Sequence, residues 1–236
     1  MKELNNTTPH NAEEYDVNVR KTIPYYETIH QEAIDLIKTV KPDARVWLDT
    51  GCGTGYMVEQ AYPHFPHTHF IICDPAPKML EEAKRRLANI PSDRLSILEP
   101  VGTQELENKI KNKVDVITAI QAHLYLLRDE RKKATENCFN LLNKSGIYVT
   151  TENIHPLSAR GVEIGLARWT NFQLQAGRSK YEVEEHTRRF NKKYFPITVE
   201  EHLQLLRNVG FKTVEFFWYA HMQAGFYAIT GNEAQP

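Results

Sequence analysis

Val46-Trp47-Leu48-Asp49-Thr50-Gly51-Cys52-Gly53-Thr54-Gly55-Tyr56 is the stretch from which the fold is read. Val46 to Leu48 are bulky and apolar and suit a short buried strand. Gly51, Gly53 and Gly55 then clear side chains from three alternate positions, so a ligand can approach the main chain closely. Met57, Val58 and Ala61 follow on the apolar side of a helical pattern. Strand, glycine loop and helix start together form the nucleotide-cofactor site of open α/β sheets. The spacing narrows the ligand. A dinucleotide fingerprint needs G-x-G-x-x-G opening a helix that faces a pyrophosphate. Here the third glycine comes one residue early, and Tyr56 stands where that fingerprint has glycine. Asp49, two residues before the first glycine, suits a cationic ligand group better than a pyrophosphate.

A second apolar run, Phe70-Ile71-Ile72-Cys73, also ends in an acid, Asp74. Asp74 lies 19 residues beyond Gly55, close to the ~20-residue offset at which such sites place a ribose-binding carboxylate. Its two oxygens can accept from both ribose hydroxyls. The other reading of Asp74 is a cap for the helix that follows.

The pattern D-x-G-x-G-x-G at 49–55 resembles motif I of the class I S-adenosylmethionine (SAM) methyltransferases, and Asp74-Pro75-Ala76-Pro77-Lys78-Met79-Leu80 resembles their D-x-S-x-x-M-L signature. The resemblance covers about residues 13–230. It implies S-adenosyl-L-methionine as cofactor, with the methionyl part over Asp49, Gly51, Cys52, Gly53 and Gly55, the ribose on Asp74, and the adenine lined by Pro75 and Met79. It further implies contacts from Val101 and Gly102 after strand three and from Ile120 and Gln121 after strand four. Family members often carry an acid near Val101 for the adenine amino group; here that contact falls to the backbone. His123, beyond strand four, is the candidate general base, against the commoner structural role of a lone histidine. Tyr15, with Asp16 and the run Ile23-Pro24-Tyr25-Tyr26, resembles the N-terminal element that folds over the cofactor. It is named with His123 as a candidate catalytic residue; the alternative is an aromatic that anchors the N-terminal arm. The tail Leu206 to Glu215, through Gly210-Phe211, is loosely similar to the carboxy-SAM synthase branch. That branch holds an extra carboxylate with a basic side chain in this helix, and the matching place falls near Leu205. Ordinary methyl transfer is therefore expected.

Composition excludes several other classes. The 236 residues are 41% hydrophobic and 25% charged, which suits a globular α/β domain with a lid. A net charge of −1 with no basic block argues against a dedicated nucleic-acid binder, although a tRNA-modifying enzyme stays as an alternative, as does a non-catalytic SAM- or nucleotide-binding module. No apolar run reaches about 18 residues, and the first residues lack a signal-peptide core. Cys52, Cys73 and Cys138 show no C-x-x-C spacing, which points to reduced thiols and a cytoplasmic protein. Cys52 and Cys73 otherwise read as small buried hydrophobes. No H-E-x-x-H spacing appears, so no metal is expected.

The expected architecture is a Rossmann-like three-layer sandwich with a seven-stranded, mostly parallel sheet whose last strand is antiparallel, plus a helical lid insertion. Strands are expected at about 45–49, 69–74, 95–99, 114–120, 147–151, 212–219 and 225–230. The division is an N-terminal arm and helix (1–40), a SAM-binding core (41–152), a helical insertion (153–196), and a C-terminal helix with the final strands (197–236). The insertion, with two helices at about 157–176 and 180–192, reads as a substrate lid or as a covering pair that mediates homodimerisation. Its aromatics suit a planar or apolar small molecule and its arginines an anionic one.

Overall fold

The computed structural model describes residue 6 and residues 8–231. Its sheet is built from β1 (Val46–Thr50), β2 (His69–Cys73), β3 (Leu95–Ile97), β4 (Val114–Ile120), β5 (Leu142–Asn153), β6 (Thr213–Ala220) and β7 (Gln223–Ile229), in the order β3-β2-β1-β4-β5-β7-β6. β7 runs antiparallel to both neighbours, and the other pairs are parallel. The helices are α1 (Tyr15–Val19), α2 (Tyr26–Val40), α3 (Tyr56–Ala61), α4 (Pro77–Arg86), α5 (Arg128–Leu141), α6 (Ala159–Gln175), α7 (Lys180–Thr187) and α8 (Val199–Val209).

Alternation along each strand sorts the core into two layers. Trp47, Phe70, Ile72, Val116 and Ile147 pack with Ala33, Ile34 and Ile37 of α2, Val58 of α3 and Ala83 of α4. Leu48, Ile117 and Tyr148 face the opposite way and pack with Cys138 of α5 and Leu206 of α8. A parallel sheet covered on both faces needs near-continuous apolar strands, which is why β4 is buried at five of its seven positions. β5 differs from its expected start at 147: it begins at Leu142, which pairs with Val114 across a register shift. Thr198 and Glu201 form the reciprocal cap expected at the start of α8, and Gly210 ends that helix in the left-handed region, at φ 121°.

The chain steps outward from β1 to β2 and β3, then returns to place β4 on the other side of β1. At that reversal the strand ends splay apart, and the crevice outside their carboxyl ends is where this architecture takes ligands. Among the described residues no helix is long and apolar enough to cross a membrane.

Candidate active site

The reversal leaves three adjoining hollows. A trough of about 280 Å³ runs past Gly51, Gly53, Asp74, Pro75, Ala76 and Met79 to Gly102, Gln104 and Ile120. A small recess beside it is lined by Asp49, Cys52, Met57 and Tyr26, and shares Tyr15, Gly51, Gly53 and Ile120 with the trough. A third hollow, the chamber, lies under α6 and α7, walled by Leu124, Trp169 and Tyr194 and by the polar side chains of Asn153, His186 and Gln223. Tyr15, Gln121 and Tyr125 border both trough and chamber.

Asp49 is set by a chain of hydrogen bonds. The Trp47 indole Nε1 donates to Thr118 Oγ1 at 2.9 Å, and the Thr118 hydroxyl donates to Asp49 Oδ1 at 2.7 Å. Asp49 Oδ2 is buried and has no hydrogen-bond partner. Burial, with a smaller contribution from the nearby Asp74 charge, pushes the Asp49 carboxyl up to about 7 against the pull of the Thr118 bond. An acid in that condition gains most from a cationic donor placed at Oδ2.

Asp74 closes the loop onto the next strand. Its Oδ2 accepts from the Gly53 N–H at 2.9 Å and its Oδ1 from the Ala76 N–H at 2.8 Å. The second bond is a turn ahead of α4, whose N-cap is Ala76 with no side-chain cap, so Asp74 does not cap the helix as the alternative reading had it. Each oxygen keeps a further lone pair for a hydroxyl. Burial raises the Asp74 carboxyl while those two N–H bonds oppose it. The loop needs glycine at Gly53, whose φ of 54° is left-handed and whose missing Cβ faces open space, and at Gly51, where a Cβ would lie 2.5 Å from that of Ala122.

Most of the residues singled out from sequence meet at these hollows, and two do not. Gly55 lies outside them: a Cβ there would press against Leu87 and Ala83 of the α4 region, so its smallness serves the contact between that segment and the loop. Val101 also lies outside, with its N–H donating to the Asp74 carbonyl at 3.2 Å. In its place the trough gains Gln104, whose Oε1 is buried without a partner. Cys52 lines the recess, and burial drives its thiol well above the ordinary range, as befits a small hydrophobe.

His123 borders the trough but is only 2% exposed. Its Nδ1 is 3.0 Å from the Tyr148 hydroxyl and its ring stacks on that tyrosine, within the second core layer. Burial, helped by the Arg131 charge, lowers it to about 3. That geometry suits a wall better than a proton acceptor open to a ligand. Gln121 holds φ at 54°, unusual for a non-glycine residue, with its N–H on the Thr151 carbonyl at 2.8 Å. Strain of this kind collects where a ligand is positioned.

The N-terminal segment forms the roof. Thr54 Oγ1 donates to Asp16 Oδ1 at 2.8 Å, and Arg86 pairs with both Asp16 and Glu59. Tyr56 stacks against Tyr26 and His30, at 5.4 and 4.8 Å between ring centres. An aromatic, in the place where a dinucleotide loop has glycine, thus anchors the arm. The far side is closed at Thr22: its carbonyl accepts from Trp169 Nε1 at 2.6 Å, and its hydroxyl is 2.9 Å from His10 Nε2.

A Rossmann-like sheet with a carboxylate at each of two neighbouring strand ends, and no glycine pattern for a pyrophosphate, defines an adenosyl-sulfonium site. The unpartnered Asp49 Oδ2, the Asp74 carboxylate and the unpartnered Gln104 Oε1 leave hydrogen-bond acceptors at three places along these hollows. Comparison with known proteins agrees. A family model described as a methyltransferase domain matches residues 48–148. The chain is 20% identical to a carboxy-S-adenosyl-L-methionine synthase of Nautilia profundicola, over 88% of this chain and 87% of that protein. Its fold is that of the N-methyltransferase NodS of Bradyrhizobium japonicum, solved with S-adenosyl-L-homocysteine (SAH), at TM-score 0.62 and 14% identity over 88% of each chain. It is also that of a SAM-bound amino pentose methyltransferase of Micromonospora echinaspora, at TM-score 0.61 and 17% identity over 91% of this chain and 95% of that one. Residues 48–148 carry a methyltransferase domain, and the curated relatives with the SAM- and SAH-bound neighbours support a class I SAM-dependent enzyme with S-adenosyl-L-methionine as cofactor.

Proposed function

We propose that this enzyme transfers the methyl group of SAM to a small molecule whose reacting group enters the chamber beneath α6 and α7. The observation that carries the reading is the shared wall of Tyr15, Gln121 and Tyr125, which sets the trough and the chamber back to back. Bound SAM supplies a methyl already activated on sulfur, so the protein's task is alignment. Asp49 holds the ammonium, Asp74 the ribose and Gln104 the adenine amino group. Gly51 and Gly53 keep the loop flat beneath the methionyl chain; Pro75, Met79, Gly102 and Ile120 line the trough. Tyr15 and Gln121 orient the acceptor across the shared wall, and in-line placement contributes several kcal/mol of the barrier. His123 positions the wall through Tyr148. Residues 153–196 serve as a substrate lid over a core of residues 41–152; residues 1–40 roof it and 197–236 complete the sheet.

Calorimetric titration with SAH tests the cofactor half. Wild type binds it, and Asp74→Ala, which frees both the loop and the ribose, weakens binding at least 100-fold. Absence of heat from SAH and SAM alike would overturn the reading.

The name of the curated relatives favours a second reading, formation of carboxy-SAM. Leu205, half-buried on α8, stands where the resemblance calls for a basic side chain. Mass spectrometry of SAM incubated with the enzyme and a cell extract separates the two: methyl transfer yields SAH, and the alternative yields a heavier SAM.

A further inference from the structure

Resting on the methyl-transfer reading above, we infer that the acceptor is a small primary amine, bound neutral and gripped through its two N–H bonds by Asn153 and Gln223. These residues are direct partners across the antiparallel β5–β7 pair. They are 2% and 1% exposed, and both line the chamber. Asn153 Nδ2 donates to the Met222 carbonyl at 3.1 Å, which fixes the amide and leaves Oδ1 as its unpartnered end. Gln223 Oε1 is likewise buried without a partner. Two neighbouring acceptors taken from water with no donor are each costly. A ligand repairs both only by bringing two donor hydrogens from one small group. A carboxylate or phosphate brings none and is repelled by the carbonyl oxygens. A hydroxyl brings one. A primary amine brings two and keeps its lone pair.

Burial and the arginines on the lid side of the chamber favour the neutral amine, while the Asp74 and Glu152 carboxylates oppose them on the Tyr125 side. Burial first, and then the Arg178 and Arg189 guanidiniums, lower His10 to about 4 and hold His186 well below its ordinary value. The Glu182 carboxylate opposes this at His10. An ammonium entering the same space meets the same desolvation and repulsion. Arg178 is committed to Gln173 Oε1, Thr22 Oγ1 and the Glu182 carbonyl, so it answers the lid's own acceptors and not an anionic substrate. The chamber's volume of about 30 Å³ matches a small polar group. Suppressing the charge leaves the nitrogen lone pair free. It forms the new N–C bond as the S–C bond breaks, sulfur takes the bonding pair, and the products are SAH and a methylammonium. The extra proton passes to solvent when the product leaves.

The test is binding to wild-type enzyme saturated with SAH, measured by calorimetry. The probes are primary amines of two to six carbons, each beside the alcohol and the carboxylate of the same skeleton. The amines should outrank their matched alcohols and carboxylates. Because only the neutral form binds, apparent affinity should rise roughly 100-fold from pH 7 to pH 9 for amines with a lysine-like pKa. Asn153→Leu and Gln223→Met should each weaken the best amine at least tenfold and leave SAH affinity within twofold. Tighter binding of an alcohol or carboxylate, no binding of any amine, or an affinity that falls with pH overturns the inference. Should a variant fail to fold, the wild-type rank order decides. Should SAH itself not bind, the methyl-transfer reading falls, and the same panel on the unloaded enzyme still ranks the three chemistries.

Discussion

Replacing Asp49 by asparagine should raise the stability of the unliganded enzyme at alkaline pH and cripple its hold on SAM. Asp49 titrates near 7 in the fold against 3.8 in its ordinary state. Below pH 3.8 both states are protonated and the shift costs nothing. The cost grows as the unfolded chain ionises first, and it is complete once pH passes the folded value of about 7. Three units at ~1.36 kcal/mol each amount to about 4 kcal/mol above pH 7. Roughly 2 kcal/mol of that accrues between pH 5.5 and 8, or about 4–8 °C in Tm for a chain of this size. Buried His10, His30 and His123, all shifted downward, move stability the opposite way over part of this range, because they bind protons only when unfolded. They are common to both proteins and cancel in the difference. The assay is therefore the Tm gap between Asp49→Asn and wild type, read at several pH values by scanning fluorimetry. The asparagine leaves an orphan N–H where Oδ2 stood, a pH-independent offset, so the slope of the gap carries the result. Saturating SAH should flatten the wild-type slope by pairing its ammonium with Oδ2, and SAH affinity of the variant should fall by roughly 10- to 100-fold, about the 1.5–3 kcal/mol of a charged hydrogen bond. Parallel Tm curves for the two proteins from pH 5.5 to 8 would refute the account of Asp49.

Three further outcomes follow from the same geometry. Thr118→Val strands both the Trp47 indole N–H and Asp49 Oδ1; it should cost about 1–3 kcal/mol in urea unfolding and weaken SAH, whereas unchanged SAH affinity would mean that Asp49 keeps its orientation unaided. Thr54→Val removes one strap between the glycine loop and α1; the SAH dissociation rate in stopped flow should rise by about three- to tenfold, for a bond of about 1 kcal/mol, with little change in association. Tyr15 is held protonated, chiefly by burial, so it acts as a hydrogen-bond donor and not as a base. Tyr15→Phe should lower kcat about tenfold, within the usual range for a lost orienting contact, at unchanged SAH affinity, and the wild-type kcat at saturating acceptor should show no inflection between pH 8 and 10.

The local pattern carried the cofactor half of the molecule further than the substrate half. β4 was readable to the residue, because a strand buried on both faces must be an apolar run, and the loop at 49–55 was readable because glycine spacing is a backbone requirement. Asp74 was legible by its distance from Gly55. Other features depend on partners far away in sequence. Thr118 looked like a polar interruption of β4 until Trp47 and Asp49 closed on it from the neighbouring strand. Asn153 and Gln223 acquire meaning only from the β5–β7 register, which no local periodicity encodes. His123 was chosen by its place after β4. Yet the direction of its ring was set by Tyr148, a residue 25 positions on. Gln104 carries no local signal, since its place on the trough depends on the turn after Gly102.

β7 carries a consequence for how the enzyme comes into being. It is the last strand among the described residues, yet it sits inside the sheet, between β5 and β6. Until residue 223 onward has been synthesised, β5 ends the sheet as a bare edge, open to pairing with any stray strand. The adenosyl trough belongs to the early half of the chain and is complete without it. The chamber is not, since Gln223 arrives with that final strand. The substrate chamber is therefore completed only when that strand pairs with β5, whereas every residue lining the trough lies at or before position 130.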